Sequence, residues 1–376
     1  MNLSSNLNSV SYRFNPDSLK VAREFRGLQR NELARQLDVT PSAVTQFESG
    51  QARPNPQTIA RMSMALNFPV PFFAQTENLQ VVSTDQCHFR SLLSSSQVDR
   101  RRMISASSII RRIVEFVDAH VHLPPEKVSP SVIPKPESTE EIEEAAIQLR
   151  CDWGLGLGPI PNVVHLLESN GVLILRLLDD CKKVDAFSLW HQNRPFIFLN
   201  TEKGSGSRSR LDAAHELGHL IMHDEYLPGD RRQEEQAFRF GGAFLLPRGT
   251  FLRECPRRLV WSQFLELKLR WKVSLAALVR RAKELGILSE DTYRRANVQI
   301  NKNKWKAKEP NEPAVEYPTI LPQAMQLLAQ KGWSSSAIAQ HLSITENDLR
   351  SLTYADAQET DTNGGASNKE HGQQTA

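Results

Sequence analysis

Hydrophobic and polar residues alternate with a helical period along most of the chain, and short proline- and glycine-rich segments interrupt the pattern. Apolar positions three and four residues apart predict helices within residues 15–73 and 319–353. Between these regions, three short runs rich in branched and aromatic residues predict strands at 172–178, 184–190 and 195–200. We therefore expect an α+β fold, mostly α, with a small antiparallel sheet.

Changes in composition divide the 376-residue chain into six segments, and this length suits two or three domains. Prolines crowd residues 124–136 and predict an extended linker, after which Ser138 can cap a helix. The predicted segments are an N-terminal helical domain (1–75), a helical connector with the Pro-rich linker (76–137), an α+β domain (138–300), a polar linker (301–318), a second helical region (319–356) and a disordered tail (357–376).

Composition narrows the classes of protein that fit. The four cysteines form no C-x-x-C pair, which argues against a disulfide framework and fits a reducing cytoplasm. No apolar run is long enough to span a membrane, and no secretory signal is visible, so we expect a cytoplasmic protein with no membrane partner. The net charge is only +3, so affinity for nucleic acid would have to come from a local patch.

Two short helices separated by a tight turn are predicted near the N-terminus. Asp38 stands at the turn, where a left-handed backbone is often needed and where Asp is tolerated better than most residues. Thr40 can cap the second helix, and Pro41 suits its first position. The apolar residues of both helices are expected to face inward: Leu33, Ala34, Leu37, Val44 and Phe47.

This stretch, residues 30–66, resembles the phage-repressor-type (Xre-like) helix-turn-helix, with Asp38 where a glycine is more usual. In such modules the second helix enters the major groove of double-stranded DNA, and dimers are common, so a homodimer is possible. The alternative is a helical bundle used only for protein contact. The resemblance implies base contacts from Ser42, Thr45 and Gln46, and phosphate contacts from Arg30 and Arg53.

A second, degenerate copy of the same pattern occupies residues 323–352. Thr345 is placed as a cap after a short turn, as Thr40 is in the first copy. However, Glu346 and Asp348 lie at the start of the following helix, where their charge would repel phosphate. This copy is therefore expected to contact protein rather than DNA.

The stretch "LDAAHELGHLIMHD" (211–224) contains His215, Glu216 and His219 in the order His-Glu-x-x-His. Residues four apart lie on one face of a helix, about 6 Å apart along its axis, so two imidazoles can bind one metal ion. Zinc accepts neutral histidine nitrogens, and a catalytic site adds a third protein ligand and a water. Glu216 could take the proton of that water and pass it to the leaving amine.

The third ligand is expected on the following helix. His223 lies eight residues from His215, about 12 Å along a continuous helix, which is too far to share one ion. The next helix offers Glu234 and Glu235, and Glu234 is favoured because it shares the face that Ala237 marks as packed. The packed face of this helix is marked by Ala237, Phe240, Gly241 and Phe244. Gly241 and Gly242 are expected to let the two helices approach closely.

The middle of the chain, roughly residues 80–300, resembles the ImmA/IrrE family of metallopeptidases. The likeness rests on "CHFRSLLSSS" (87–96), "WGLGLGPIPNVVHLLESNGVLI" (153–174), "DAFSLW" (185–190), "RSRLDAAHELGHLIMH" (208–223), "EEQAFRFGGAFLLP" (234–247) and "LKLRWKVSLAALVRRAKELGILS" (267–289). Leu211 stands where the family usually has Phe, and Gly241 where it usually has Ala. The resemblance implies a zinc endopeptidase with a zincin-like fold, whose typical target is a helix-turn-helix repressor or antitoxin, and it also favours Glu234.

Two functions fit the sequence. The first is a DNA-binding zinc metallo-endopeptidase that cleaves a regulatory protein, with Glu216 as general base and His215, His219 and Glu234 as ligands. The alternative is a transcriptional regulator whose peptidase-like domain binds zinc but serves as a sensor or scaffold without proteolysis. The intact Glu216 favours the first, because a pure scaffold has no use for it.

Overall fold

The computed structural model describes residues 3–75, 96–129, 136–176, 186–191, 193–200, 205–223 and 230–353. The predicted tail and most of the stretch 87–96 lie outside these residues. The described residues form two compact units: the first contains the described parts of residues 1–81, 105–123 and 319–376, and the second those of 82–104 and 124–318. None of the described helices combines the length and apolar character needed to cross a membrane.

The first unit is helical. Its N-terminal part comprises α1 (Leu3–Tyr12), α2 (Pro16–Phe25), α3 (Arg30–Leu37), α4 (Pro41–Glu48), α5 (Pro56–Leu66) and a 3₁₀ turn (Val70–Ala74). Three of these helices begin in the same way, with a capping side chain followed by proline at the first position: Asn15, Thr40 and Asn55 are the caps. The predicted cap at Thr40 is thereby confirmed.

The turn between α3 and α4 adopts the predicted left-handed conformation. Asp38 has φ 56° and ψ 49°, and the amide of Val39 donates to the carbonyl of Ala34. The apolar residues expected to face inward are all buried. Short-range sequence chemistry therefore accounts for this part of the fold.

The remaining helices of the first unit are α6 (Gln97–His120), from Ser105 onward, and α15 (Ile320–Gln330), α16 (Ser335–Leu342) and α17 (Glu346–Thr353). Trp333 packs edge-on against Phe116 with ring centroids 5.0 Å apart. The guanidinium of Arg26 binds the carboxylate of Asp348 through two hydrogen bonds of 2.7 and 2.6 Å. Asp348 is thus held by an ion pair within the first unit.

The second unit combines a small sheet with helices. It contains α7 (Thr139–Asp152), α8 (Val163–Ser169), β1 (Leu173–Arg176), β2 (Ala186–His191), β3 (Arg194–Leu199), α9 (Gly206–Met222), α10 (Arg231–Leu245), α11 (Arg248–Glu254), α12 (Trp261–Trp271), α13 (Leu275–Glu284) and α14 (Glu290–Lys302). Ser138 caps α7, as expected. With the helices of the first unit, these elements give the predicted α+β fold, mostly α.

The sheet is mixed, so the prediction of an antiparallel sheet is wrong. Its order is β1-β3-β2, with β3 parallel to β1 and antiparallel to β2. A connection of two residues between β2 and β3 permits only antiparallel pairing. β3 occupies the centre, with its run "PFIFL" buried throughout, and β1 pairs on the side of β3 opposite β2.

Residues 301–318, expected to be a linker, include the end of α14 and a segment attached to the second unit. Three glutamates of this segment each accept a backbone amide at the start of a helix: Glu309 from Leu275 (2.8 Å), Glu312 from Ser207 (2.9 Å) and Glu316 from Val163 (2.8 Å). Helix starts carry unsatisfied amides and a partial positive charge, so a carboxylate is well suited to them. We call residues 309–316 the acidic strap.

The acidic strap also closes over the beginning of α9. A Cβ atom placed on Gly206 would lie 2.4 Å from the carbonyl oxygens of Pro313 and Ala314, so only glycine fits. Burial alone would raise the pKa of Glu312, but hydrogen bonds from Lys268, Ser205 and Ser207 outweigh it and hold that pKa below its usual value. The first turn of α9 is therefore fixed from outside by charge and by close packing.

Candidate metal centre and nucleic-acid interface

Helix α9 presents the two predicted histidines on one side. His215 and His219 are almost completely buried, and their Nε2 atoms lie 3.1 Å apart. The spacing of four residues produces this pairing, because successive turns of a helix stack side chains three and four residues apart. Both imidazoles thus point their Nε2 atoms to the same place.

Helix α10 brings Glu234 to the same place. Its Oε2 lies 3.4 Å from Nε2 of His215, and its Oε1 lies 3.6 Å from Nε2 of His219. Glu235, the alternative, is exposed. Among the described residues, His215, His219 and Glu234 are the group of metal-binding side chains whose ligand atoms converge within 4.8 Å.

Close packing of α9 on α10 makes this convergence possible. A Cβ on Gly241 would come within 3.1 Å of the backbone nitrogen of His215, and one on Gly218 within 3.0 Å of the Phe240 ring. A Cβ on Gly242 would meet nothing closer than 3.9 Å. Of the two glycines expected to permit the approach, only Gly241 lies at the contact, and Gly218 takes part from the facing helix.

The three ligand atoms have the spacing of a tetrahedral site. With bonds of about 2.0–2.1 Å, tetrahedral zinc separates its ligand atoms by about 3.3 Å. The observed separations are 3.1, 3.4 and 3.6 Å. Two imidazoles and a carboxylate are also a donor set that zinc accepts at catalytic sites. These residues therefore fit the ion.

Glu216 lies beside the two histidines and is almost fully buried. The hydroxyl of Ser188 donates to its Oε2 over 2.7 Å. Ser188 lies in the middle of β2, and its side chain is fully buried. Sequence reasoning missed this residue, although a hydroxyl among the apolar residues of a buried strand was a signal that it needed a partner.

His223 is placed differently from the expectation that assumed a continuous helix. α9 ends at Met222, and His223 has an extended backbone with φ −122° and ψ 95°. Its Nδ1 lies 2.9 Å from Nδ1 of His219, on the side of that ring away from Glu234. It thus lies behind His219, outside the convergent group.

Gln236 continues this contact. Its Oε1 lies 3.0 Å from Nε2 of His223, and its Nε2 donates to the carbonyl of Pro136 over 2.7 Å. Sequence reasoning missed Gln236 too, because a glutamine two positions after Glu234 carries no pattern of its own. Only the packing of α10 beside the end of α9 reveals the contact.

The residues predicted to contact DNA lie on the first unit. Ser42, Thr45 and Gln46 are exposed on α4, and Thr45 donates its hydroxyl to the carbonyl of Pro41. Arg53 is exposed, with its guanidinium 5.6 Å from the centre of the Tyr12 ring. Arg30 instead binds the buried carboxylate of Glu48 at 2.7 Å while keeping about half of its side chain exposed (49%). Its charge is thus shared with a structural ion pair.

Two segments of the chain match known protein families. Residues 19–73 match the helix-turn-helix model, and residues 167–283 match the peptidase M78 model, described as an IrrE N-terminal-like domain. A search of curated proteins gives no match to the chain. The first matched segment contains α3 and α4, and the second contains α9 and α10 with the convergent side chains.

Proposed function

We propose that this chain, which joins a helix-turn-helix to an ImmA/IrrE-type domain, is a DNA-binding regulator that acts as a zinc-dependent endopeptidase. The two matches make it a DNA-binding regulator with a peptidase-family domain; zinc, proteolysis and a protein substrate are what we add. One observation carries the addition. Three side chains with the spacing of a tetrahedral zinc site lie next to an intact Glu216.

His215, His219 and Glu234 would hold the zinc. When bound, zinc activates water as a nucleophile and polarises a peptide carbonyl. Glu216 would accept the proton of the attacking water and deliver it to the nitrogen of the leaving amine. Ser188 would keep the Glu216 carboxylate in place, since its hydroxyl already donates to Oε2.

The substrate class follows from the resemblance to ImmA/IrrE proteins, whose typical target is a helix-turn-helix repressor or antitoxin. The chain's own helix-turn-helix would bring the peptidase domain to DNA sites where such regulators also bind. Ser42, Thr45 and Gln46 would face the bases of the major groove, and Arg30 and Arg53 would contact phosphates. Binding as a homodimer is part of the same proposal.

The test compares wild type with Glu216→Gln in cells that express the regulatory proteins encoded beside this chain. New protein N-termini are identified by mass spectrometry. We expect a repressor or antitoxin fragment in the wild type that falls by about 10²- to 10⁴-fold in the variant, because a positioned general base contributes that much. Glutamine can still accept the Ser188 hydroxyl, so the variant keeps its local structure.

Glu235→Gln is the matched control, since it makes the same change at an exposed position one residue from Glu234. It should cleave like the wild type. Identical fragments in the wild type and Glu216→Gln, or a purified wild type that retains no zinc, would contradict the peptidase proposal. Zinc binding without cleavage would favour a sensor or scaffold.

A further inference from the structure

We propose that Gln236 and His223 form a hydrogen-bonded relay that selects the tautomer of His219 and so positions its Nε2 as a ligand atom. The relay begins at the backbone carbonyl of Pro136, next to the Pro-rich linker, and ends at the convergent side chains. Its ligand role rests on the proposed zinc site, but its hydrogen-bond order does not.

The direction of the relay follows from its first member. The Pro136 carbonyl can only accept, so the Gln236 atom 2.7 Å from it must be the amide nitrogen. The other Gln236 atom, 3.0 Å from Nε2 of His223, is therefore the oxygen and also can only accept. Nε2 of His223 must then carry a hydrogen.

The order then passes from ring to ring. A neutral imidazole carries one N–H, so Nδ1 of His223 is an acceptor once its Nε2 is a donor. Nδ1 of His219, 2.9 Å away, must supply the hydrogen between the two rings. Nε2 of His219 is left with a lone pair, directed to the place where Nε2 of His215 and Oε1 of Glu234 converge. That lone pair is what a metal requires.

The relay lies in the interior of the second unit. His219 and His223 are buried, and Pro136 is buried as well. His223 follows α9 in extended backbone, and its ring lies against that of His219 with ring centroids 5.0 Å apart.

The relay predicts a spectroscopic property of the metal-free full-length chain. Two-bond ¹⁵N–¹H correlation spectra should show His219 protonated at Nδ1 and unprotonated at Nε2. Gln236→Leu removes the amide oxygen that accepts from Nε2 of His223, so the share of the other His219 tautomer should rise. Gln148→Leu removes an exposed amide on α7 that binds Asp152, and should leave the His219 spectrum unchanged.

Zinc affinity supplies the second readout. Gln236→Leu should raise the zinc dissociation constant by about tenfold, the lower end of the effect of removing a direct partner of a ligand, because Gln236 acts on His219 through His223; Gln148→Leu should not raise it. Wild-type His219 protonated at Nε2 in the metal-free chain would overturn the relay without any variant. So would a Gln236→Leu chain with an unchanged His219 spectrum and unchanged zinc affinity.

The two proposals fail separately. A wild-type chain with the expected His219 tautomer but no zinc binding would contradict the peptidase proposal and still support the proposed hydrogen-bond order. A chain that binds zinc and cleaves its substrate, but has the other His219 tautomer, would contradict only the relay.

Discussion

The approach of α10 to α9 at Gly241 can be tested by adding one methyl group. In Gly241→Ala the new Cβ would lie 3.1 Å from the nitrogen of His215 and 3.3 Å from the carbonyl carbon of Ala214. Ordinary contacts of this kind are about 3.5 Å, so the helices must separate locally by about 0.2–0.4 Å. Both atoms belong to backbone, which cannot turn aside as a side chain would.

The separation would act unequally on the ligand triangle. His215 and His219 share α9, so their 3.1 Å separation should not change. Glu234 lies on α10, so a shift of about 0.3 Å carried to it would lengthen its separations from 3.4 and 3.6 Å to about 3.7–3.9 Å, further above the tetrahedral value of about 3.3 Å. Overpacking costs about 1–3 kcal/mol, and the helix propensity of alanine offsets about 1 kcal/mol of that.

Gly242→Ala is the control at the adjacent position. Its Cβ would meet the Cδ atom of Arg281 at 3.9 Å, an ordinary contact, so only the gain in helix propensity remains. We expect Gly242→Ala to be stabilised by about 1 kcal/mol and Gly241→Ala to be destabilised by up to about 2 kcal/mol in urea titrations. Zinc should bind Gly241→Ala about tenfold more weakly, and Gly242→Ala normally. Equal stabilities and equal zinc affinities of the two variants would refute the idea that this contact sets the ligand geometry.

Three further predictions concern other parts of the chain. Glu312→Gln should lower the free energy of unfolding by about 2 kcal/mol, because it removes charge-assisted hydrogen bonds, whereas Glu290→Gln, at a half-exposed pair, should change it by less than about 1 kcal/mol. The pKa of Glu312 is lowered in the folded chain, so the wild type should be more stable than Glu312→Gln above about pH 4.5 and lose this difference as the pH falls through the folded pKa. Urea titrations at several pH values would measure the difference in stability, and a difference that does not depend on pH would contradict the prediction. Asp348→Ala should destabilise the first unit by about 2 kcal/mol, measured by thermal unfolding, because it leaves the guanidinium of Arg26 without this partner. An unchanged unfolding curve would show that the ion pair does not contribute to stability. Arg53→Ala should weaken binding to every DNA sequence alike and reduce the slope of affinity against salt by about one, measured by fluorescence anisotropy, and a loss confined to one sequence would contradict a phosphate contact.

Local chemistry predicted much of the helical architecture. The left-handed Asp38, the caps at Thr40 and Ser138, and the helices that carry His215 and Glu234 follow from side-chain hydrogen bonds and apolar spacing within a few residues. Each of these features depends on contacts between near neighbours in sequence. These features can therefore be predicted from the sequence without knowledge of the fold.

Features that depend on distant partners were not predictable in this way. The sheet is mixed because β1 pairs in parallel with β3, which is distant in sequence. The sequence of a single strand does not indicate which other strand it will pair with. Ser188 and Gln236 acquire their roles only when β2 and α10 pack against α9. The position of His223 was not predictable either. The estimate of its distance from His215 assumed that the helix continues through His223, whereas α9 ends at Met222.

The same turn geometry occurs at both ends of the chain and meets different partners. Ser343 is left-handed like Asp38, with φ 55° and 56°, and the amide of Ile344 donates to Ala339 as that of Val39 donates to Ala34. At the third position of the second helix, however, Ala43 is replaced by Asp348, whose carboxylate is buried against Arg26 and accepts from the Thr345 hydroxyl. A carboxylate committed to a buried ion pair cannot approach phosphate without leaving Arg26 uncompensated. Within a shared backbone geometry, Asp348 therefore forms an ion pair inside the first unit, while α4 keeps an exposed polar face.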